Sequence, residues 1–240
     1  MKALEVVEIH TFYGTSHVLH GLSLGVAEGS IVCLLGRNGA GKTTSIRSIM
    51  GMTCPAQGSI KIFGEEVRGR RSNQIYSRGV RIVPQGRHIF PMLSVEENLH
   101  LGLIGFSSSD VRKEIEKAYQ MFPILRERKR QKGKTLSGGE LQMLAIARAI
   151  MGPTRLLLMD EPSEGLAPII LAQIGKTVQE LKQKKITTLL AEQNLQFALQ
   201  VGDYYYLIDN GANVFSGNPK ELHTNQEVQM RYLGVGISMG

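Results

Sequence analysis

The chain has 240 residues, 42% of them hydrophobic and 20% charged, with a formal net charge of +7. That length supports one sizeable core with room for a smaller inserted lobe, and the composition is that of an ordinary globular protein rather than a disordered or fibrous one. No apolar run approaches the roughly 20 residues of a membrane helix, and segment 1–8 carries two acids without a signal peptide's apolar core, so cytoplasmic residence is the expectation.

Apolar or alternating stretches at 4–9 and 21–26 predict strands, with Gly-containing turns between them. The run 31–35 predicts a short apolar strand, inside which Cys33 reads as a small buried hydrophobe. Cys33 and Cys54 have neither metal nor redox spacing. Residues 43–50 read as a helix with Gly51 near its end. Strands follow at 58–63 and at 80–83, the latter ending at Pro84. From 88 to 153 the period turns helical. Ser94 followed by Glu96 and Glu97 opens one helix, 109–122 makes a second and 139–151 a third. Strands return at 156–159, 187–191 and 204–208, with helices at 170–182 and 195–201 between them. Asn218-Pro219 reads as the cap and first position of a late helix. Strands alternating with helices imply a mostly parallel sheet covered on both faces. The expected division is a single domain: an α/β core from 1–87 and 154–240, and a helical subdomain inserted at 88–153.

Chemistry concentrates at two places. Gly36-Arg37-Asn38-Gly39-Ala40-Gly41-Lys42-Thr43 fits G-x-x-x-x-G-K-[ST] and lies between an apolar strand and a helix. Glycines let backbone N–H groups turn inward as an anion nest, and the helix N-terminus adds partial positive charge. Lys42 would reach the β and γ phosphates of a nucleotide, and the Thr43 hydroxyl would ligate Mg²⁺. Asp160 and Glu161 end the strand 156–159. An acid there can hold Mg²⁺ through water, and a second acid beside it can polarise an attacking water. Lys42 and Asp160 lie more than a hundred residues apart, farther than in small nucleotide kinases or GTPases, and no Asn-Lys-x-Asp guanine motif occurs.

Leu136-Ser137-Gly138-Gly139-Glu140 sharpens this. Ser137-x-x-Glu140 is a capping box for the helix that follows, and the two glycines with the serine make a second anion nest. With this stretch the chain resembles the ATP-binding subunits of ABC transporters along essentially its whole length. The resemblance implies a P-loop NTPase (RecA-like) fold: a mostly parallel sheet, an N-terminal antiparallel β part and an inserted helical subdomain. It makes 136–140 the signature loop, facing ATP held by a partner's cradle. It implies ATP contacts from 36–43 and Thr44, with Tyr13 stacking on adenine. Gln85 becomes a ligand to Mg²⁺ alongside Thr43 and Asp160, Glu161 the general base, and 165–168 a crossing of the dimer interface. Gln193 stands where most of the family has a histidine at the γ-phosphate. Its amide donates a hydrogen bond but takes up no proton near neutral pH. Ala167 stands where an aspartate is usual.

Val-Pro-Gln-Gly-Arg (83–87), Ile-Phe-Pro (89–91), Gly-Leu-Ala-Pro (165–168), Glu-Gln-Asn (192–194) and the terminal Tyr232-Leu233-Gly234 together resemble the ATPases of branched-chain amino-acid importers. The related ATPases that import urea and short amides also carry glutamine at the position of Gln85. The implied partners are a second ATPase subunit, copy or homologue, in an ATP-sandwich dimer, two membrane-spanning permeases and, indirectly, a substrate-binding protein. The implied place is the cytoplasmic face of the inner membrane. Segment 88–98 would lie beside the groove for the permease's cytoplasmic helix. A contrasting class is a soluble ATPase of this family acting on nucleic acid or ribosomes. Basic clusters at Arg68-Arg70-Arg71, at 126–134 and at Lys182-Lys184-Lys185 suggest it. None interleaves aromatic residues, so a base-stacking platform is not expected and the clusters read as solvated faces.

Overall fold

The computed structural model describes residues 1–225 together with Val228 and Met230; Tyr232-Leu233-Gly234 lies outside them. Strands β1 (Lys2–Tyr13) and β2 (Ser16–Ala27) form a long hairpin, and β3 (Ile31–Leu35) runs into the loop before helix α1 (Lys42–Ile49). Then come β4 (Gln57–Ile62), β5 (Glu65–Glu66), α2 (Ser72–Tyr76) and β6 (Val80–Val83). Helices α3 (Val95–Leu101), α4 (Ser108–Met121), α5 (Pro123–Glu127), a 3₁₀ turn at Gly133–Thr135 and α6 (Gly138–Ile150) precede β7 (Leu156–Asp160). The rest alternates: α7 (Pro168–Gln183), β8 (Thr187–Glu192), α8 (Leu195–Val201), β9 (Tyr204–Asp209), β10 (Ala212–Gly217) and α9 (Pro219–Thr224).

One sheet has the order β10-β9-β3-β8-β7-β6 and the other β2-β1-β4-β5. The first is parallel except for β10, which pairs antiparallel with β9. The second is antiparallel throughout. This is the expected α/β architecture with an antiparallel N-terminal part. Side chains alternate across a strand, so β3 feeds two cores. Ile31, Cys33 and Leu35 pack with the helical side, and Val32 and Leu34 pack toward the antiparallel sheet and α1. Cys33 is fully buried, and burial pushes its thiol pKa up, as an inert apolar side chain requires.

Adjacent strands β6 and β7 are joined by the whole helical stretch α3–α6, so that stretch leaves the sheet at one strand's end and returns to its neighbour. Buried Asn98 pins its entrance. Its Oδ1 accepts the Phe90 N–H at 3.0 Å, and its Nδ2 donates to the carbonyls of Phe90, Leu93 and Ser94.

Helices α2 and α5, the 3₁₀ turn and strands β5 and β10 are additions to the expected elements, and β1 and β2 run well beyond 4–9 and 21–26. The β9–β10 turn is Asn210-Gly211, with φ of 45° and 74°. Positive φ at both central residues matches the right-handed twist of the flanking strands. Gly211 does more than turn. Its N–H donates to the Ala40 carbonyl at 2.9 Å and its carbonyl accepts from His20 N, so the turn braces the Gly-rich loop against β2. A Cβ at Gly211 would collide with the Val18 carbonyl. Gly211→Ala is therefore expected to cost about 1–3 kcal/mol and to lower the melting midpoint by about 2–4 °C per kcal/mol for a chain of this size. Thermal denaturation checks it; an unchanged midpoint would show that the turn yields without cost.

Candidate active site

The site forms where β3, β7 and β8 end side by side. Parallel strands bring their C-terminal ends to one edge, and residues far apart in sequence meet there. After β3, the chain turns through Gly36–Gly41 into α1. Gly41 precedes the helix at φ 108°, a conformation L side chains rarely adopt, and a Cβ there would press on Leu19. Gly36 passes close under the Ile208 carbonyl, which a Cβ would meet at 2.6 Å. These two glycines are required by geometry, as the motif implies.

Lys42 opens α1 and is only 3% exposed. Its Nζ donates to the carbonyls of Gly36 at 2.8 Å and Arg37 at 3.0 Å, and pairs with Glu161 Oε1 at 2.9 Å. The ammonium is therefore held across the mouth of its own loop. Thr43 Oγ1 donates to Asp160 Oδ1 at 3.2 Å. Burial pushes the Asp160 carboxyl up to about 6, against the Thr43 hydrogen bond and the nearby Lys42 charge. Thr44 is buried in the same turn.

Glu161 follows β7 at φ 48°, a left-handed conformation that costs energy for a non-glycine residue and recurs at functional sites. Its N–H donates to the Ala191 carbonyl at 2.9 Å, which holds it against β8. Its second carboxylate oxygen accepts from Gln85 Nε2 at 3.2 Å, and the same Nε2 reaches Glu164 Oε2 at 3.2 Å. Five of the expected residues thus meet at this edge in two sets that are neighbours along the chain at both ends: Lys42, Glu161 and Gln85 in one, Thr43 and Asp160 in the other. Exposed Gln193 borders the adjoining cleft of about 440 Å³, together with Asn38, Glu161 and Glu164.

The other expected residues stand apart from these two sets. Tyr13 lies at the tip of the β1–β2 hairpin, 43% exposed, with its hydroxyl 3.4 Å from Thr53 Oγ1 beyond the end of α1. Leu136 is buried. Ser137 caps α6: its Oγ accepts from Glu140 N at 3.3 Å, and Glu140 Oε2 accepts from Ser137 N at 2.7 Å. The other Glu140 oxygen takes Arg128 Nε at 3.2 Å. These bonds hold the Glu140 carboxyl below the usual range. Gly138 and Gly139 pack on the loop and helix after β7, where a Cβ at Gly139 would lie 3.0 Å from Ile170.

Three residues outside the expected set join these parts. Arg87 donates through Nε to Gln142 Oε1 on α6 and through a terminal nitrogen to the Glu164 carbonyl, both at 3.1 Å. It links the loop carrying Gln85, helix α6 and the segment after Glu161. Glu164 and Glu192 are the other two. Glu192 ends a strand as Asp160 does, and that shared position is a readable signal; Glu164 has none, since Ser-Glu-Gly reads as an ordinary turn. In the basic clusters, Arg126 pairs with Glu116, Arg128 with Glu140 and Lys182 with Asp203.

Among the described residues, no helix is long and apolar enough to cross a membrane. A sequence model of the ABC transporter family matches residues 19–164. The chain is 43% identical to the high-affinity branched-chain amino acid transport ATP-binding protein BraG of Pseudomonas aeruginosa, over 95% of this chain and 97% of that one. It is 33% identical to the probable branched-chain amino acid transport ATP-binding protein LivF of Archaeoglobus fulgidus, over 97% and 99%. A nucleotide-free ATP-binding cassette from an ABC transporter superposes with a TM-score of 0.84 at 27% identity, covering 98% of this chain and 100% of that one. The chain belongs to the ABC transporter family, among its ATP-binding subunits.

Proposed function

We propose that the chain binds and hydrolyses ATP as one of two cassettes driving a branched-chain amino-acid importer. The observation that carries the reading is the convergence of two bonded sets at the ends of adjacent strands, Lys42 with Glu161 and Gln85 beside Thr43 with Asp160. The likeness to BraG and LivF supports the cargo.

In this reading the loop 36–43 takes the phosphates on its N–H groups, and Lys42 exchanges its contact with Glu161 for phosphate oxygens. Glu161, so released, accepts a proton from the attacking water, with Gln85 orienting its other oxygen. Gln193 donates to the γ-phosphate. Tyr13 stacks on adenine from the hairpin tip. The residues also fit Mg²⁺: Thr43 and Asp160 offer adjacent hard oxygens, and the buried, charge-disfavoured Asp160 carboxylate gains from a dication beside it. Bound there, Mg²⁺ would neutralise charge on the phosphate oxygens. Residues 136–140 would face the ATP of a second ATPase subunit, and the helical stretch 88–153 would form the subdomain that carries them. The assembly would add two permeases and serve a substrate-binding protein, with this chain on the cytoplasmic face of the inner membrane.

The test is the complex co-purified with its permeases and reconstituted in vesicles. ATP hydrolysis stimulated by the leucine-loaded binding protein is the expected result. Stimulation by a urea-loaded binding protein instead would overturn the cargo, a reading the glutamine at position 85 keeps open. Co-purification with RNA rather than permeases, with salt-sensitive binding, would overturn the transport role.

A further inference from the structure

Strand β8 is buried along its whole length and ends in a carboxylate, Glu192, that is 1% exposed. A buried charge must be compensated. Among the described residues no cation pairs with it; hydrogen-bond donors surround it instead. Oε1 accepts from Ser163 N at 3.0 Å. Oε2 accepts from Ser163 Oγ at 2.7 Å and from the backbone N–H groups of Gln193 and Asn194, both at 3.1 Å.

These bonds continue a ladder past the strand ends. β7 and β8 pair in register up to Asp160 and Ala191. The next rung runs from Glu161 N to the Ala191 carbonyl. Ser163 to Glu192 is the contact after that, made by the Glu192 side chain because the chain after β7 has left the sheet, while Glu192 itself still pairs with Leu35 of β3. The two loops leaving the sheet carry Glu161 on one side and Gln193 on the other.

We propose that Glu192 is a positioning residue for hydrolysis, its carboxylate clamping the loop after β8 to the loop after β7 and so aiming Gln193 into the cleft beside Glu161. The inference rests on the reading that Gln193 acts on the γ-phosphate. The chemistry of the clamp is specific. The three backbone groups can only donate, and Ser163 Oγ donates here. An ionised carboxylate accepts through both oxygens and donates nothing. A glutamine has the same shape but turns an NH₂ group onto one set of donors. The substitution thus changes hydrogen bonding at constant volume.

The experiment is a double-mutant cycle on ATP hydrolysis by the assembled complex. Glu192→Gln is expected to lower kcat about 10- to 100-fold, the scale of a small misplacement at a reacting centre, with ATP affinity within about threefold of the parent. Gln193→Ala should slow hydrolysis by itself, and Gln193→His should be tolerated. In the Gln193→Ala background, Glu192→Gln should cost less than about threefold more, because coupled residues are non-additive. Losses that multiply in full would overturn the inference, since a general structural defect acts whatever stands at 193. So would a folded Glu192→Gln complex with the parent kcat. If Glu192→Gln fails to assemble, Ser163→Ala, which removes one bond of the four, enters the same cycle with the same criterion. Wild-type rates for both Gln193 variants would overturn the phosphate role of Gln193 and the inference with it, while wild-type hydrolysis by the parent keeps the ATPase reading standing. A parent complex that does not hydrolyse ATP overturns both.

Discussion

Glu161→Gln is expected to cut ATP turnover by about 10²–10⁴, the usual scale for losing a general base, while ATP binding survives. The structure supplies the reasons for both halves. Glu161 is held from three sides: by its N–H on Ala191, by Lys42 on one carboxylate oxygen and by Gln85 on the other. Its left-handed backbone persists because these contacts over-determine it. Glutamine preserves the shape and can still accept from Lys42, but it cannot take a proton from water. Lys42 also keeps the carbonyls of Gly36 and Arg37, so the cradle stays organised. Breaking a buried ion pair outright costs about 3–5 kcal/mol; with three acceptors still around the ammonium, the loss here should be smaller. Single-turnover hydrolysis and equilibrium ATP binding on the same complex check the two halves separately. Turnover within a few fold of the parent would remove Glu161 from the role of base.

The same three strand ends show what a sequence discloses and what it withholds. The strand at 31–35 is readable because a strand covered on both faces needs apolar residues on both, and all five are buried. Asp160 is readable because a charge at the end of such a run is out of character for a core. The long hairpin is less so. Register shifts interrupt its pairing between Val6 and Ile9 and again near the tip, and Glu8 adopts φ 46°. Each shift breaks the alternation of period two, so only fragments of β1 and β2 look like strands. At the β9–β10 hairpin the only local signal is Asn210-Gly211, a turn pair that outweighs the weak apolar character of 212–217. The partners of Glu192 and Arg87 have no local signature. Ser163 lies 29 residues from Glu192, and Gln142 lies 55 from Arg87. Only the sheet order brings the first pair together, and only the return of the helical stretch brings the second.

Lys42→Ala is expected to weaken ATP binding itself, by about 10²–10⁴. Hydrogen bonds to charged groups contribute about 1.5–3 kcal/mol each. Removing two such bonds to phosphate, at about 1.4 kcal/mol per tenfold, gives that range. The contrast with Glu161→Gln is the point. If Lys42 served only to neutralise Glu161, the two variants would bind ATP alike; if it grips phosphate, Lys42→Ala loses affinity that Glu161→Gln keeps. Arginine should not rescue it. The ammonium sits 2.8–3.0 Å from two carbonyls and one carboxylate oxygen in a pocket with almost no exposure, and a planar guanidinium is too broad for that cage. Calorimetric titration of ATP into the complex reads the affinity and, in the same curve, the number of sites. That number bears on the signature loop. Ser137, Gly138 and Gly139 are untouched by Lys42→Ala and remain able to face a partner's cradle. A complex of two copies of this chain would then lose both high-affinity sites, whereas pairing with a homologue would leave one. In the second case, on the reading proposed above, the surviving site would be built from the partner's phosphate loop and residues 136–140 of this chain, without Gln193.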